Sequence, residues 1–360
     1  MSTNQNKDFL FLKLAFHQAE INLGSTSLNP SVGCVVVKNN SVISSGRTSF
    51  NGRPHAEANA LKKKDVTGSN IYVTLEPCSH YGKTPPCINN IISKKLHKVI
   101  FSINDVDNRS KNLAYKKLKK AKINLKRFVH RSYAEKFYKS YFLQSLNQTP
   151  FIDAKLAISN DYLTINNKHK WITNNSSRKV GNFLRSKYDC ILTTSKTINC
   201  DDPLLDCRIE GLEQKSPAVI VVDRSFKIKK RLNIFKNKKR EIFIFTQTNN
   251  VIKEKYFKKI GVNIVKFEKS NNLKNDVTEV YLLVKKLGFN RVLVESGLEY
   301  IHEILKYKLI RNFYLFKSSL NLKKNGKNNA KPNLIKKLKI TIKNKIKINL
   351  ENDSLHKIQL

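Results

Sequence analysis

Two short stretches of the sequence bring together residue types that bind metal ions. The segment "TLEPCSHYGKTPPC" holds Cys78 and Cys87 on either side of a proline-containing loop, and the segment "GRPHAEANA" holds His55. Thiolates and imidazoles are ligands that Zn²⁺ prefers, and a site with three protein ligands keeps a fourth position open for chemistry. The spacing therefore predicts a catalytic zinc site, with one Zn²⁺ per chain, formed by His55, Cys78 and Cys87.

Glu57 follows His55 by two residues and adds a group that can move protons. Nucleobase deaminases combine a His-x-Glu with a Pro-Cys and a second cysteine, and their glutamate acts as general acid and base without binding the metal. Pro77 and Cys78 fit this pattern, although the gap to Cys87 is longer than the usual two residues. Because Cys87 opens a predicted helix, the helix N-terminus favours its thiolate. We therefore predict a hydrolytic deaminase with Glu57 as its catalytic residue.

A structural zinc site or a redox pair of cysteines would account for only part of this pattern. The structural site would use the three ligands but has no need of Glu57, and the redox pair has no need of His55. His80 lies inside the same loop and could close the site as a fourth ligand, but its position favours contact with a substrate. The combination favours a catalytic zinc.

Length and composition place these motifs in a protein of two domains. The chain has 360 residues, of which 40% are hydrophobic, and this is more than one ordinary core accommodates. Its N-terminus lacks the basic and apolar blocks of a signal peptide, and no apolar run reaches the length of a membrane helix. Six cysteines in such a chain do not indicate a disulfide framework. We expect a soluble cytoplasmic protein with no membrane partner.

The net charge of +41 raises the question of nucleic-acid binding. Residues 1–149 contain 24 basic and 8 acidic residues, and residues 150–360 contain 44 and 19, so the excess is spread over both halves. An even spread together with abundant Asn, Ile and Lys is typical of a biased proteome composition. We therefore expect no nucleic-acid partner, although a basic surface would attract a phosphorylated substrate.

Hydrophobic periodicity predicts an α/β fold in both halves. The first half begins with a helix ending near Gly24 and a hairpin turning at Asn39-Asn40, and then alternates helices and strands up to a helical stretch over 131–149. Pro150 marks the predicted boundary, so the domains are 1–149 and 150–360. The second half restarts with the strand "FIDAKLAIS" and continues with further strands and helices. Apolar and polar residues alternate with a period of two over 338–360, which predicts antiparallel strands that complete the second domain.

The motifs of the first half resemble those of the bifunctional riboflavin-biosynthesis deaminase–reductase family. The resemblance runs from "NPSVGCVVV" through "PHAEANAL" and is closest in "TLEPCSHYGKTPPC", a loop that differs from those of cytidine, deoxycytidylate and transfer-RNA adenosine deaminases. It implies a cytidine-deaminase-like αβα layered domain that acts on a phosphorylated pyrimidine. It also implies substrate contacts at Asn29, His80, Lys83 and Thr84.

The resemblance continues through "KLAISND", "KWIT", "LRSKYDCILTTSKTINCDDPLLDCR" and "LVESG". It implies that the second domain is an NADPH-dependent reductase with a fold similar to dihydrofolate reductase. The implied cofactor contacts are Ala157, Trp171, Thr197, Asp201 and Gly297. The implied substrate contacts are Arg185, Leu205, Arg208 and Glu295. Homo-oligomers are common among such domains, so a homo-oligomer is a further expectation.

The sequence departs from the family at several positions. Tyr162 stands where the family has glycine, while His169 and Arg224 each stand where it has serine. A further family stretch, "DPDPRV-x-G-x-G", appears as "DVDNRSKNLA" and lacks both prolines and both glycines. These departures motivate an alternative, an active deaminase with a decayed reductase domain. The charge motivates a second alternative, an RNA-binding or RNA-editing deaminase.

Overall fold

The chain forms two compact units. The computed structural model describes residues 3–62, 65–145, 149–237, 239–270, 272–328 and 341–360. The two units are Met1–Gln148 and Thr149–Leu360. No helix within the described ranges is long and apolar enough to cross a membrane.

A five-stranded sheet forms the centre of the first unit. Its strands, in the order β2-β1-β3-β4-β5, are β1 (Gly33–Lys38), β2 (Ser41–Arg47), β3 (Asn70–Val73), β4 (Lys98–Phe101) and β5 (Asn124–Arg127). β1 runs antiparallel to β2 and β3, whereas β3, β4 and β5 are parallel. The predicted hairpin is confirmed, because Asn39 and Asn40, with φ of 52° and 60°, join β1 to β2. Such positive φ values suit asparagine in a two-residue hairpin turn.

Helices cover both faces of this sheet. They are α1 (Thr3–Ile21), α2 (Ala56–Ala60), α3 (Cys87–Ser93), α4 (Leu113–Lys120), α5 (Arg131–Phe137) and α6 (Lys139–Ser145). Alternate side chains of β1 enter different cores: Cys34 and Val36 join the cluster that contains residues of α2 and α3, whereas Val35 and Val37 pack with Leu12 of α1. Strand side chains alternate between the two faces of a sheet, so this partition makes a three-layer αβα unit.

An eight-stranded sheet forms the centre of the second unit, with strand order β11-β10-β9-β8-β12-β6-β13-β15. Its strands are β6 (Phe151–Ile158), β8 (Cys190–Thr194), β9 (Ala218–Val222), β10 (Ile242–Thr246), β11 (Asn263–Lys266), β12 (Arg291–Val294), β13 (Asn312–Lys317) and β15 (Ser354–Gln359). All neighbours are parallel except β13 and β15. A small antiparallel pair, β7 (Ile165–Asn166) and β14 (Gly326–Lys327), lies outside this sheet.

Within the described residues of the second unit, five helices connect these strands. They are α7 (Asn175–Arg185), α8 (Ser195–Asp201), α9 (Val251–Lys259), α10 (Leu273–Lys286) and α11 (Leu298–Lys306). β8 leads directly into α8, and β12 leads into α11 after a short turn. Because β8 and β12 are adjacent and parallel, both helices begin next to each other at the carboxyl ends of these strands. A large cleft lies where these two helices begin.

The antiparallel strands predicted over 338–360 are only partly present in the described residues. β15 confirms the prediction for its last residues, but residues 329–340 lie outside the described ranges. Residues 341–350 form a short 3₁₀ turn (Ile342–Asn344) and a single bridge between Lys345 and His356 rather than a strand. Half of these residues are lysines or asparagines, and the alternation of a few isoleucines alone was not sufficient to form a ladder.

Gly46 allows α2 to lie directly on β2. A Cβ atom at this position would lie 2.3 Å from the carbonyl oxygen of Ala56 and 2.6 Å from the nitrogen of Ala60. Hydrogen bonds join the same two elements: Ser44 Oγ donates to the carbonyl of Ala60 at 2.6 Å, and Asn59 Nδ2 donates to the carbonyl of Arg47 at 2.8 Å. The position of α2 is therefore set by backbone contact with the sheet.

We expect Gly46→Ala to destabilise the first unit by about 1–3 kcal/mol, the cost of inserting a methyl group into a packed contact. Chemical denaturation followed by circular dichroism measures this change. Ser45→Ala is the matched control, because Ser45 is exposed on the same strand and its replacement should change stability by less than about 0.5 kcal/mol. Equal stability of the two variants would contradict the proposed contact.

Candidate zinc and dinucleotide sites

Three elements bring the predicted zinc ligands together in the first unit. His55 is the N-cap residue of α2, Cys78 lies in the loop after β3, and Cys87 is the first residue of α3. His55 Nδ1 is 3.5 Å from Cys78 Sγ and 3.4 Å from Cys87 Sγ. The three ligand atoms all lie within 4.8 Å of one another.

This donor set fits zinc. Tetrahedral zinc with bonds of about 2.0–2.3 Å places its ligand atoms about 3.3–3.8 Å apart, and the two distances from His55 fall within this range. The backbone N–H of Cys87 donates to Cys78 Sγ at 3.2 Å, which is a bond that favours thiolate. The main cause that lowers the pKa of Cys78 to about 4 is a hydrogen bond from the Cys87 side chain, and His55 and this backbone N–H lower it further. Two sulfurs and one nitrogen leave a fourth position of a tetrahedral ion available.

Glu57 lies in the first turn of α2, beside these ligands. Its side chain is only 3% exposed, and burial, reinforced by the charge of Cys78, raises its pKa to about 7. A carboxyl group whose pKa lies near neutrality can both accept and release a proton under physiological conditions. The structure thus places Glu57 beside the three predicted ligands, and its catalytic role stays a prediction.

The predicted substrate residues of this unit lie on the loops around the ligands. His80 Nδ1 is 2.8 Å from Ser110 Oγ, while Lys83 and Thr84 are exposed on the loop between the two cysteines. Asn29 lies on the loop before β1, and its Nδ2 lies 2.3 Å from where a Cβ on Gly52 would be. Gly52 has a φ of 88°, so both the backbone and the space at this position require glycine. The structure gives positions to these residues, and their substrate roles stay predictions.

Sequence reasoning missed Glu76, which holds the neighbouring loop in place. Its carboxylate is buried and accepts three backbone N–H groups, from Asp105, Asn112 and Ala114, at 3.1, 3.1 and 3.2 Å. The same loop carries Ser110, which bonds to His80. An acidic residue at the end of a buried strand was the signal, because a buried carboxylate requires donors.

A single cleft of the second unit is lined by every predicted reductase residue. Its volume is about 1630 Å³. These residues are Ala157, Trp171, Arg185, Thr197, Asp201, Leu205, Arg208, Glu295 and Gly297. Trp171 is 52% exposed, so it is not an ordinary core aromatic. The cleft is larger than most small-molecule sites and has room for more than one ligand.

Three charged side chains lie together in this cleft. The guanidinium of Arg185 donates two hydrogen bonds to Glu295, at 2.6 and 3.0 Å, and Lys155 Nζ lies 3.6 Å from the same carboxylate. Burial alone would raise the pKa of Glu295, but the charges of Arg185 and Lys155 hold it at about 2. Burial lowers the pKa of Lys155. Lys155 was missed by sequence reasoning, since a lysine in a strand carries no signal of its own.

Backbone and hydroxyl donors gather where α8 and α11 begin. The hydroxyls of Thr194, Thr197 and Ser296 lie 3.1–3.2 Å from one another, and Gly297 N–H donates to Thr197 Oγ1 at 3.1 Å. Gly297 caps α11 without a side-chain hydrogen bond, and an added Cβ there would meet only Thr197 Oγ1, at 3.8 Å. Open helix N-termini of this kind bind phosphate groups, so this part of the cleft fits NADPH.

Two departures from the family pattern line the cleft, and a third lies at a residue with positive φ. His169 and Arg224 line it, and Arg224 lies 3.6 Å from Asp276. Tyr162 has a φ of 67°, a conformation that glycine adopts more readily, and its ring lies 4.9 Å from Lys317 Nζ. At this position the backbone thus has a conformation suited to glycine, although the residue is tyrosine.

Comparison with known proteins assigns a family to both units. The profile of the cytidine and deoxycytidylate deaminase zinc-binding region matches residues 5–103, and that of the RibD C-terminal domain matches residues 150–344. Riboflavin biosynthesis protein RibD of Aquifex aeolicus is 31% identical over 300 residues, which are 82% of each chain. Its counterpart in Buchnera aphidicola is 30% identical over 327 residues, which are 86% of each chain.

A solved structure agrees with these sequence matches. Acinetobacter baumannii RibD, form 1, is similar to this chain with a TM-score of 0.82 and 25% identity, and the match covers 99% of both chains. The zinc-ligand geometry, the cleft and the matches over both units lead to one conclusion. The chain belongs to the RibD family of riboflavin biosynthesis proteins.

Proposed function

We propose that this chain catalyses two consecutive steps of riboflavin biosynthesis. The first is the hydrolytic deamination of a diamino-ribosylamino-pyrimidinone phosphate, and the second is the NADPH-dependent reduction of its ribosyl chain to a ribityl chain. In this proposal residues 1–149 form the deaminase domain and residues 150–360 form the reductase domain. The observation that carries the proposal is the grouping of a buried glutamate with one histidine and two cysteines in a chain that also contains the reductase cleft.

The deaminase chemistry follows from the groups around Glu57. His55, Cys78 and Cys87 would hold the zinc, which supplies Lewis-acid activation of water near neutral pH. Glu57 accepts the proton that the attacking water loses and delivers it to the leaving amine. Its burial supports this role, because a pKa of about 7 keeps both protonation states accessible.

Four further residues of the first unit would bind the substrate. Asn29, on the loop before β1, would contact the pyrimidine ring. His80, which Ser110 orients, and the exposed Lys83 and Thr84 would contact the rest of the substrate. The position of Lys83 and Thr84 on the loop between the two cysteine ligands supports this proposal.

The reductase cleft would hold cofactor and substrate side by side. Ala157, Trp171, Thr197, Asp201 and Gly297 would bind NADPH, which supplies the hydride. The substrate would contact Arg185, Leu205, Arg208 and Glu295. The protein's part is chiefly to orient the sugar carbon against the nicotinamide ring. Arg208 is half-exposed and paired with Asp206 at 2.6 Å, so its guanidinium can still reach a phosphate.

Mass spectrometry of the diaminopyrimidine phosphate after incubation with the protein tests both reactions. We expect one amine to be exchanged for oxygen without NADPH, and two hydrogens to be added only when NADPH is present. Glu57→Gln should slow the amine exchange by about 10²–10⁴-fold, the usual contribution of a general acid and base, and should retain zinc. Glu135→Gln, at an exposed position on α5, is the matched control.

The outcomes of this experiment separate the alternatives. A product that stops at the deaminated species in the presence of NADPH would indicate a decayed reductase domain. No exchange by the wild-type chain would contradict the proposed function, and unchanged exchange by Glu57→Gln would contradict the role of Glu57.

Removal of zinc should abolish deamination and leave reduction intact. A chelator that removes the metal removes the activation of water. It also leaves two thiols and an imidazole without the ion that they would share, so the first unit should unfold at a lower temperature. Activity assays and differential scanning calorimetry before and after addition of zinc measure both effects. Full deamination by protein shown to be metal-free would contradict this expectation.

Arg185→Met should impair reduction without preventing cofactor binding. The substitution leaves the Glu295 carboxylate buried with only Lys155 nearby, so the substrate part of the cleft loses its arrangement. We expect reduction of the deaminated intermediate to fall by about 10²-fold or more, while the Kd for NADPH in a fluorescence titration changes less than about threefold. Lys266→Met, which removes an ion pair with Glu254 outside the cleft lining, is the control. An equal loss of NADPH affinity in Arg185→Met would place Arg185 in the cofactor site instead.

A further inference from the structure

Arg53 lies close to the predicted zinc ligands, on a loop that neither the motif nor the family resemblance assigns to the substrate. It follows the short 3₁₀ turn Phe50–Gly52 and precedes the metal ligand His55 by two residues. Its Nη1 donates a hydrogen bond of 2.6 Å to Thr84 Oγ1, which lies on the loop between the two cysteine ligands. The guanidinium therefore joins two of the loops that surround the site.

The second terminal nitrogen of the guanidinium, Nη2, and the His80 ring lie beside the same residue, Gly82. A Cβ on Gly82 would lie 3.6 Å from Arg53 Nη2 and 3.8 Å from His80 Nε2, so both nitrogens lie beside one point on the cysteine loop. Lys83 is exposed on the same loop. The nitrogens of Arg53 and His80 thus lie beside Gly82, and Lys83 is the next residue along the loop.

The charge of this group is not balanced by nearby carboxylates. Among the described residues, neither Arg53 nor Lys83 takes part in an ion pair. The nearby carboxylate of Asp107 is held by Arg109, with 2.6 Å between Oδ2 and Nη2. Within the same residues Thr84 is the one hydrogen-bond acceptor of the Arg53 side chain, so most of its five N–H donors stay available.

We propose that Arg53 binds the phosphate group of the substrate and makes the deaminase selective for the phosphorylated pyrimidine over its unphosphorylated nucleoside. This inference rests on the proposed function, which supplies a substrate with a phosphate monoester. A guanidinium matches two phosphate oxygens with parallel N–H donors. Thr84 accepts a hydrogen bond from Arg53, so its own hydroxyl proton can be donated to a phosphate oxygen. Lys83 supplies a second positive charge.

The test compares two substrates, the diaminopyrimidine phosphate and the same compound after phosphatase treatment. For the zinc-loaded full-length chain we expect kcat/KM to be higher for the phosphorylated compound. Arg53→Gln should lower that preference by about 10- to 100-fold, which is the effect of losing charge-assisted hydrogen bonds. The loss should appear as a higher KM for the phosphorylated compound, with little change in turnover of the nucleoside.

Three further variants separate charge, position and general damage. Arg53→Lys should keep part of the preference, because it retains the charge but loses the planar fork. Thr84→Val should lower the preference less than Arg53→Gln, because it removes the anchor and leaves the guanidinium. Arg47→Gln, at an exposed arginine of β2 that bonds to Gln18, should behave as wild type. Inhibition by ribose 5-phosphate should weaken in Arg53→Gln to the level seen with ribose.

The results distinguish failure of this inference from failure of the proposed function. If the wild-type chain deaminates neither compound, the proposed function is wrong. If it deaminates both equally well, or if Arg53→Gln keeps the full preference, the function stands and Arg53 does not bind the phosphate. An equal fall in kcat/KM for both compounds would give Arg53 a structural role and overturn the inference.

Discussion

The contact between α2 and β2 at Gly46 is the constraint on which the deaminase site depends. The helix has only five residues, too few to be stable without support, and it carries both the ligand His55 at its cap and Glu57 in its first turn. The sheet provides that support through close backbone approach. Glu57 is buried as a result, and burial gives its carboxyl group a pKa suited to proton transfer. One packing contact thus determines position and acidity together.

The two sites obtain their chemistry in different ways. In the first unit a few residues on three elements converge on one point, and the metal they would hold provides the largest local charge. In the second unit the charge comes from the protein itself, as a buried carboxylate between Arg185 and Lys155. Taking three charges out of water is costly unless each has a partner. The arrangement of this cleft therefore depends on all three groups being present together.

The sequence was sufficient to predict the grouping of His55, Cys78 and Cys87 that the structure shows, because metal coordination requires particular residue types at close spacing. The catalytic role of Glu57 stays a prediction. The sequence was also sufficient for the α/β class and for most strands, which are runs of buried apolar residues. It was not sufficient for β5, a half-exposed edge strand, or for residues 341–350, where isoleucines alternate without forming a strand. Glu76 and Lys155 were missed because their roles depend on partners distant in the chain.

The way Glu76 holds its neighbouring loop explains how that loop could change so much in sequence. Its carboxylate binds backbone amides of Asp105, Asn112 and Ala114, and any residue except proline supplies such an amide. The two family glycines of the stretch are replaced at Asn112 and Ala114, and Asn112 keeps a left-handed conformation with a φ of 61°. The loop is thus specified by its main chain, which leaves its side chains free to drift towards the Asn- and Lys-rich composition of the whole protein.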